Sequence, residues 1–162
     1  MKIKYTLFLL PAFLLATSLV LGHAAAAKIK VKKTSGEKIL QTSLEWQNNY
    51  KNYQVDESFL DTLKAKTGDN LKIDVYLGSW CSDSLNHVPA FIKIMAAAQI
   101  QDTAVNYFEV DKKPNKNVKY YVKELKVEKV PTFIFSRRGK ELGRIVENPT
   151  NSLIEDIVEI IF

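Results

Sequence analysis

Leu77-Gly78-Ser79-Trp80-Cys81-Ser82-Asp83-Ser84 holds the only cysteine of the 162-residue chain. The apolar run Leu71 to Leu77 ends here, and from about Ser82 to Gln99 the residues Leu85, Val88, Phe91, Ile92, Met95 and Ala96 recur at helical spacing. The stretch therefore reads as a strand feeding a helix, with Cys81 at the junction. A helix start offers unpaired backbone N–H groups and the positive end of the dipole, both of which favour an anionic sulfur. Cys81 is thus a candidate nucleophile, and the alternative is a thiol without chemistry in a domain that only binds.

Outward from this stretch the chain alternates strand and helix. Leu71–Leu77 is short and partly β-branched, as expected of a strand buried on both faces. Pro89 falls inside the following helix and is expected to kink it rather than end it. Val105 to Val110 is the next strand, closed by Asp111 and Pro114, and Asn117 to Leu125 reads as a helix with Val118, Tyr121, Val122 and Leu125 inward. After Val130-Pro131, Thr132 to Phe135 is a strand, Ser136-Arg137-Arg138-Gly139 a tight turn, and Lys140 to Val146 its antiparallel partner. Asn148-Pro149-Thr150 leads into a last helix whose Leu153, Ile154, Ile157, Val158 and Ile161 form one apolar face. An order of this kind predicts an α/β domain: parallel strands joined by crossovers, extended by an antiparallel hairpin, with helices flanking the sheet.

Upstream, Lys28 to Lys33 alternates charged and apolar residues, the pattern of an edge strand whose lysines discourage further pairing. Thr34-Ser35-Gly36 reads as a turn. Thr42 and Glu45 have capping-box spacing before a helix carrying Trp46, Tyr50 and Tyr53, which Asn48, Asn49 and Asn52 weaken. Asp56 is the expected cap of a further helix with Phe59, Leu60 and Leu63 inward, stopped by Thr67-Gly68-Asp69-Asn70.

Residues 1–27 read differently. Lys2 and Lys4 precede a nearly unbroken apolar run, Tyr5 to Leu21, and Gly22-His23-Ala24-Ala25-Ala26-Ala27 supplies small residues for cleavage after Ala24, Ala26 or Ala27. The expectation is a cleaved secretory signal, with Pro11 and the alanines arguing against an uncleaved anchor, whose span needs about 17–25 apolar residues. No cysteine near the cleavage region is present to accept a lipid. The expected organisation is a signal peptide over 1–27, an N-terminal extension over 28–70 packed on the domain, and the main domain over 71–162. The expected address is periplasmic or extracellular, in a bacterial envelope, with no stable membrane insertion after cleavage.

The full chain carries a formal charge of +5, reduced to +3 without Lys2 and Lys4. Its basic residues are scattered without an aromatic stacking platform, which argues against a nucleic-acid partner. A lone cysteine in an exported chain cannot form an internal disulfide, so its options are burial or intermolecular chemistry.

With these elements in place, the sequence resembles the thioredoxin superfamily over residues 71 to 162. Trp80-Cys81-Ser82-Asp83-Ser84 is similar to that family's Trp-Cys-x-x-Cys site, and Pro89 to its active-site helix proline. Val110-Asp111-Lys112-Lys113-Pro114 resembles the strand-end Val-Asp-x-x-Pro, Val130-Pro131-Thr132 resembles the cis-proline tripeptide, and Gly139 stands in the hairpin turn. The resemblance implies a thioredoxin-like fold with Cys81 as nucleophile, a cis Pro131, and Val130 backbone and Trp80 beside an extended substrate. It also exposes departures. Ser84 stands where the family has its resolving cysteine, Val75 where it keeps a buried carboxylate, and Glu147 where a glycine commonly lets substrate approach; Asp74 should face the other side of its strand.

Ser84 has two readings, a donor that polarises the thiol and a serine that completes the helix start. Asp83 sits close to the sulfur, where like-charge repulsion opposes the helix dipole; each effect is below about 1 kcal/mol when exposed, and neither decides the sign. Its simpler role is first-turn helix stabilisation. His87, six residues beyond Cys81, would reach it only if the kink rotated the ring. Cys81, Asp83 and His87 make a poor ligand set, and neither metal nor cofactor is expected. The function expected is monothiol thiol-disulfide exchange through Cys81 on a protein or low-molecular-weight disulfide, resolved by an external thiol. The alternative is a redox-inactive module that binds extended peptides in the same groove; a thiol peroxidase is disfavoured because no arginine accompanies the cysteine.

Overall fold

A computed structural model describes residues 29–66, 70–113 and 119–162. The signal sequence read in 1–27, Lys28, the helix stop at 67–69, and Pro114, Asn117 and Val118 lie outside these residues. β1 (Val31–Thr34), β2 (Leu71–Leu77), β3 (Val105–Val110), β4 (Thr132–Arg137) and β5 (Lys140–Val146) form one sheet in the order β1-β3-β2-β4-β5. β2 and β3 are parallel and the other pairs antiparallel. β2 is central, and Ile73, Val75, Tyr76 and Leu77 are all buried, so both of its faces are covered towards its C-terminal end, while Lys72 stays exposed. β1 lies at the edge, with Val31 opposite Val110 and Thr34 opposite Tyr107. Arg138 and Gly139 make the two-residue hairpin turn with φ of 52° and 77°, the left-handed region in which glycine carries no steric penalty.

Among the described residues the α-helices are α1 (Gly36–Leu40), α2 (Leu44–Asn52), α3 (Leu60–Lys66), α4 (Ser82–Ala97) and α5 (Leu153–Ile161). All five pack into one apolar cluster against one face of the sheet, through Ile39, Trp46, Leu63, Phe91 and Ile157 among others. Phe91 of α4 lies at its centre, fully buried, with its ring 4.9 Å from Phe133 of β4 and 6.4 Å from Tyr107 of β3. Residues 31–66 thus supply an edge strand and three helices to the same core that β2 to α5 build.

α4 contains Pro89, which has no N–H to offer the Leu85 carbonyl one turn earlier. Asn49 of α2 supplies the missing donor: its Nδ2 lies 2.9 Å from the Leu85 oxygen. A residue that weakens α2 locally thus completes α4.

The structure departs from the sequence expectations at three places. Thr34-Ser35-Gly36 is not a turn between strand and loop, because Ser35 Oγ accepts from Lys38 N–H and caps the five-residue α1. Thr42 does not form a capping box; its hydroxyl donates back to the Lys38 carbonyl of α1, and α2 starts after Ser43 instead. The helix read over 117–125 is absent in its described part. Val122 and Val127 form an antiparallel bridge, Tyr121 N–H donates to the Val127 carbonyl at 2.7 Å, and Lys126 turns the chain with φ of 52°. Two β-branched residues flanking a left-handed turn satisfy the backbone locally, which the apolar spacing alone does not reveal. Asp56 behaves as expected: its carboxylate accepts from Ser58 N–H at 3.0 Å, opening a 3-10 turn over Glu57–Phe59 that runs into α3.

Candidate functional site

Cys81 is the last residue before α4, at its N-cap position, with extended backbone (φ −101°, ψ 124°). Its N–H donates to the Gly78 carbonyl and its own carbonyl accepts from Leu85 N–H, both at 3.0 Å, so the thiol is fixed between strand end and helix start. The side chain is half-buried and packs at the rim of a second apolar cluster, made by Tyr76, Val110, Val127, Val130 and Ile134 on the face of the sheet opposite the helices. The sulfur donates to the Val130 carbonyl, Sγ to oxygen 3.1 Å.

That carbonyl precedes a cis peptide bond, Val130–Pro131. Around the bend, Thr132 Oγ1 donates to the Lys129 carbonyl at 2.7 Å and Glu147 N–H donates to the Pro131 carbonyl at 2.8 Å. Residues 49 apart in sequence therefore meet, and the half-buried thiol faces a backbone segment held from both sides.

Ser84 takes the second of its two readings. It is fully buried, and its oxygen accepts from Gly78 N–H at 3.2 Å, which ties the start of α4 to the end of β2. The thiol's own hydrogen-bond partner is Val130 rather than Ser84. Val75 is fully buried, whereas Asp74 accepts from Asn106 Nδ2 at 2.8 Å on the opposite side of the strand. Burial first, and the Asp74 charge second, push the Tyr76 phenol up to about 12.

Trp80 is 41% exposed beside the thiol, and its Nε1 donates to the Val110 carbonyl at 3.2 Å. The indole folds back over Gly78, where a Cβ would meet ring atoms at 2.7 Å, so no larger residue fits at that position without moving Trp80. Lys112 Nζ stands 5.9 Å from the indole centroid and Tyr121 6.1 Å from it, tilted by 37°.

Sequence spacing puts Tyr121 on the inner face of a helix. The structure puts it against Trp80 and Cys81, where burial first and the Cys81 charge second raise its phenol above the ordinary range. Lys113 anchors the segment that carries it: Nζ donates to the carbonyls of Lys119 (2.6 Å) and Glu128 (2.5 Å) and lies 4.4 Å from the Tyr121 centroid. Burial lowers the Lys113 ammonium, against the opposing Glu128 charge.

Asp83 lies in the first turn of α4, half-buried. Its charge reaches Lys129, whose ammonium is raised chiefly by its bond to Glu147 and the Glu147 charge, with Glu128 and Asp83 adding less. Lys129 and Glu147 form a direct ion pair beside Pro131. Nothing in the sequence marks them as a pair, since 18 positions separate them. His87 is directed elsewhere: Nε2 lies 2.9 Å from Asn148 Oδ1, beyond the end of β5. Among the described residues no three His, Cys, Asp or Glu side chains gather as metal ligands, and no helix is long and apolar enough to cross a membrane.

A family model described as Thioredoxin matches residues 30–158. Among solved structures, oxidised mitochondrial thioredoxin 3 from Saccharomyces cerevisiae aligns at 21% identity over 68% of this chain and 97% of its own, with a TM-score of 0.37. A chain of the complex between ferredoxin:thioredoxin reductase and thioredoxin f2 aligns at 25% identity over 66% and 88%, with a TM-score of 0.36. No curated protein matches the chain in sequence.

Proposed function

This chain belongs to the thioredoxin family, and from that premise we propose that it performs thiol-disulfide exchange with a single thiol, Cys81. Membership supports a thiol redox role in general; the monothiol form rests on the chain having one cysteine, with Ser84 at the position of the second. One observation carries the reading. The half-buried Cys81 sulfur stands at the start of a 16-residue helix and 3.1 Å from the carbonyl that precedes cis Pro131.

The reaction starts when the Cys81 proton is lost to solvent or buffer, which also frees the Val130 carbonyl. The thiolate attacks one sulfur of a partner disulfide, the partner's S–S bond breaks, and the departing sulfur leaves as a thiolate that takes up a proton. A mixed disulfide remains on Cys81. An external thiol, protein or low-molecular-weight, then attacks that bond, restoring Cys81 and carrying away the oxidising equivalent. Val130 and Pro131 form the wall against which the substrate chain lies, Trp80 shields one side, Ser84 fixes the loop that presents the sulfur, and Asp83 adds a negative charge at the rim. The same proposal places the protein outside the cytoplasm, periplasmic or extracellular, on the strength of the apolar run and alanine-rich end of residues 1–27.

The test is incubation of the native protein with glutathione disulfide, followed by intact-mass measurement. One glutathione per chain is expected, and none on Cys81→Ser. A native Cys81 that stays unmodified while the denatured chain is labelled contradicts the proposal. Unchanged capture of a protein partner by Cys81→Ser supports instead a groove that binds without redox chemistry.

A further inference from the structure

A cleft of about 620 Å³ lies at the margin of the helical face, where the connection from β1 to α1 and the C-terminal half of α4 approach the start of β3. None of the residues that line it belongs to the thiol site. Ile92, Met95, Ile100 and Val105 make its interior apolar. Tyr107 stands within it, only 8% exposed, and its hydroxyl makes no hydrogen bond with the described residues. Among those residues no side-chain oxygen or nitrogen is both sealed from solvent and unpartnered, so this hydroxyl opens into the cleft. Burial first and the Asp102 charge second raise the phenol above its ordinary range, which keeps its proton in place to be donated. A fixed polar group in the wall of an otherwise apolar space is the pattern of a small-molecule site, whose volume is commonly about 300–1,000 Å³.

Gly36 keeps the space in front of the phenol open. A Cβ there would stand 3.5 Å from the Tyr107 hydroxyl and 3.6 Å from Ile92 Cδ1, in ordinary contact, and a longer side chain would enter the cleft. The charged residues that line it are Lys33, Lys72, Glu37 and Asp102, two of each sign, and Lys72 Nζ already donates to the Thr103 carbonyl at 2.8 Å. This balance favours neither an anion nor a cation. We propose that the cleft binds an uncharged, mainly apolar small molecule through a carbonyl oxygen that accepts from the Tyr107 hydroxyl. The site stands apart from Cys81 and does not depend on its chemistry.

The probe is prodan, a neutral naphthalene with a single carbonyl group, whose emission shifts to the blue when it leaves water. Titration into the full-length protein is expected to give saturable binding of one prodan per chain, with that shift. Tyr107→Phe keeps the ring and should weaken binding about three- to tenfold, the loss of one hydrogen bond. Its urea midpoint should stay at or above that of wild type, because the hydroxyl has no protein partner to lose. Gly36→Leu should weaken prodan binding further by filling the space before the phenol. Absence of saturable binding to wild type overturns the proposal, as does unchanged affinity in Tyr107→Phe or in folded Gly36→Leu. A lowered midpoint in Tyr107→Phe would show that the hydroxyl holds the fold and not a ligand.

Discussion

The two faces of the sheet are built by different rules. On one, five helices interlock around Phe91, Phe133 and Phe135 in a cluster with no functional group at its centre. On the other, a smaller cluster of strand residues is covered by the segment that carries Tyr121, Val122 and Val127, held by a bridge, a turn and the Lys113 ammonium. Cys81 belongs to the second. The helical face supplies the stability, and the thiol sits where the covering is thinner and polar contacts replace packing. A reactive sulfur needs approach from solvent, which a face sealed by helices does not permit.

The contrast breaks most visibly in the helical core. Phe91→Ala removes a fully buried ring from three-way contact with Phe133 and Tyr107 and should cost about 3–5 kcal/mol in denaturant titration. A cost under about 1 kcal/mol would mean that this face is not the principal core. Asn49→Ala tests the tie between α2 and α4, since it strands the Leu85 carbonyl that Pro89 leaves without a donor. A loss of about 1 kcal/mol is expected, and Asn49→Ala combined with Pro89→Ala should recover part of it, because alanine in place of the proline returns an N–H to that carbonyl. No recovery would indicate that Asn49 acts by some other contact.

The smallest effect at neutral pH belongs to the thiol-side cluster. Burial and then the Asp74 charge raise the Tyr76 phenol to about 12 in the folded protein, above its ordinary value of 10.0. The unfolded chain therefore loses this proton first. Its contribution is fully present below about pH 10 and is lost as pH climbs from there through about 12. Tyr76→Phe should flatten the fall of stability with pH across that interval while leaving the profile at lower pH parallel to wild type. An unchanged alkaline slope would place the Tyr76 hydroxyl in contact with solvent.

The helical face is also the more legible one. The strand at Leu71–Leu77 and the apolar stripe through Val88, Phe91 and Met95 follow from periodicity, because repeated apolar contact leaves a repeated sequence pattern. The cysteine at a strand-to-helix junction is readable from the residues around it, whereas a cis Pro131 is implied only by the resemblance of Val130-Pro131-Thr132 to the thioredoxin tripeptide. The thiol-side covering is not readable. Tyr121 and Val122 have helical spacing but obey a turn set by Lys126, and the Lys129–Glu147 pair joins positions whose nearness depends on the β4–β5 register. Short polar contacts across long sequence separations leave no period to detect. Ser84 is legible as a missing cysteine, yet its bond to Gly78 requires the fold.

If Cys81 starts an exchange that it cannot finish alone, Ser84→Cys should let the chain finish it. Both proteins are first loaded with glutathione on Cys81, then freed of excess disulfide, and release of glutathione is followed without added thiol. Wild type is expected to keep its adduct until dithiothreitol is supplied. The Ser84→Cys variant should instead release glutathione spontaneously, as the introduced thiol attacks the Cys81 sulfur and closes an internal disulfide. Spontaneous release from wild type would contradict an exchange that needs an external thiol.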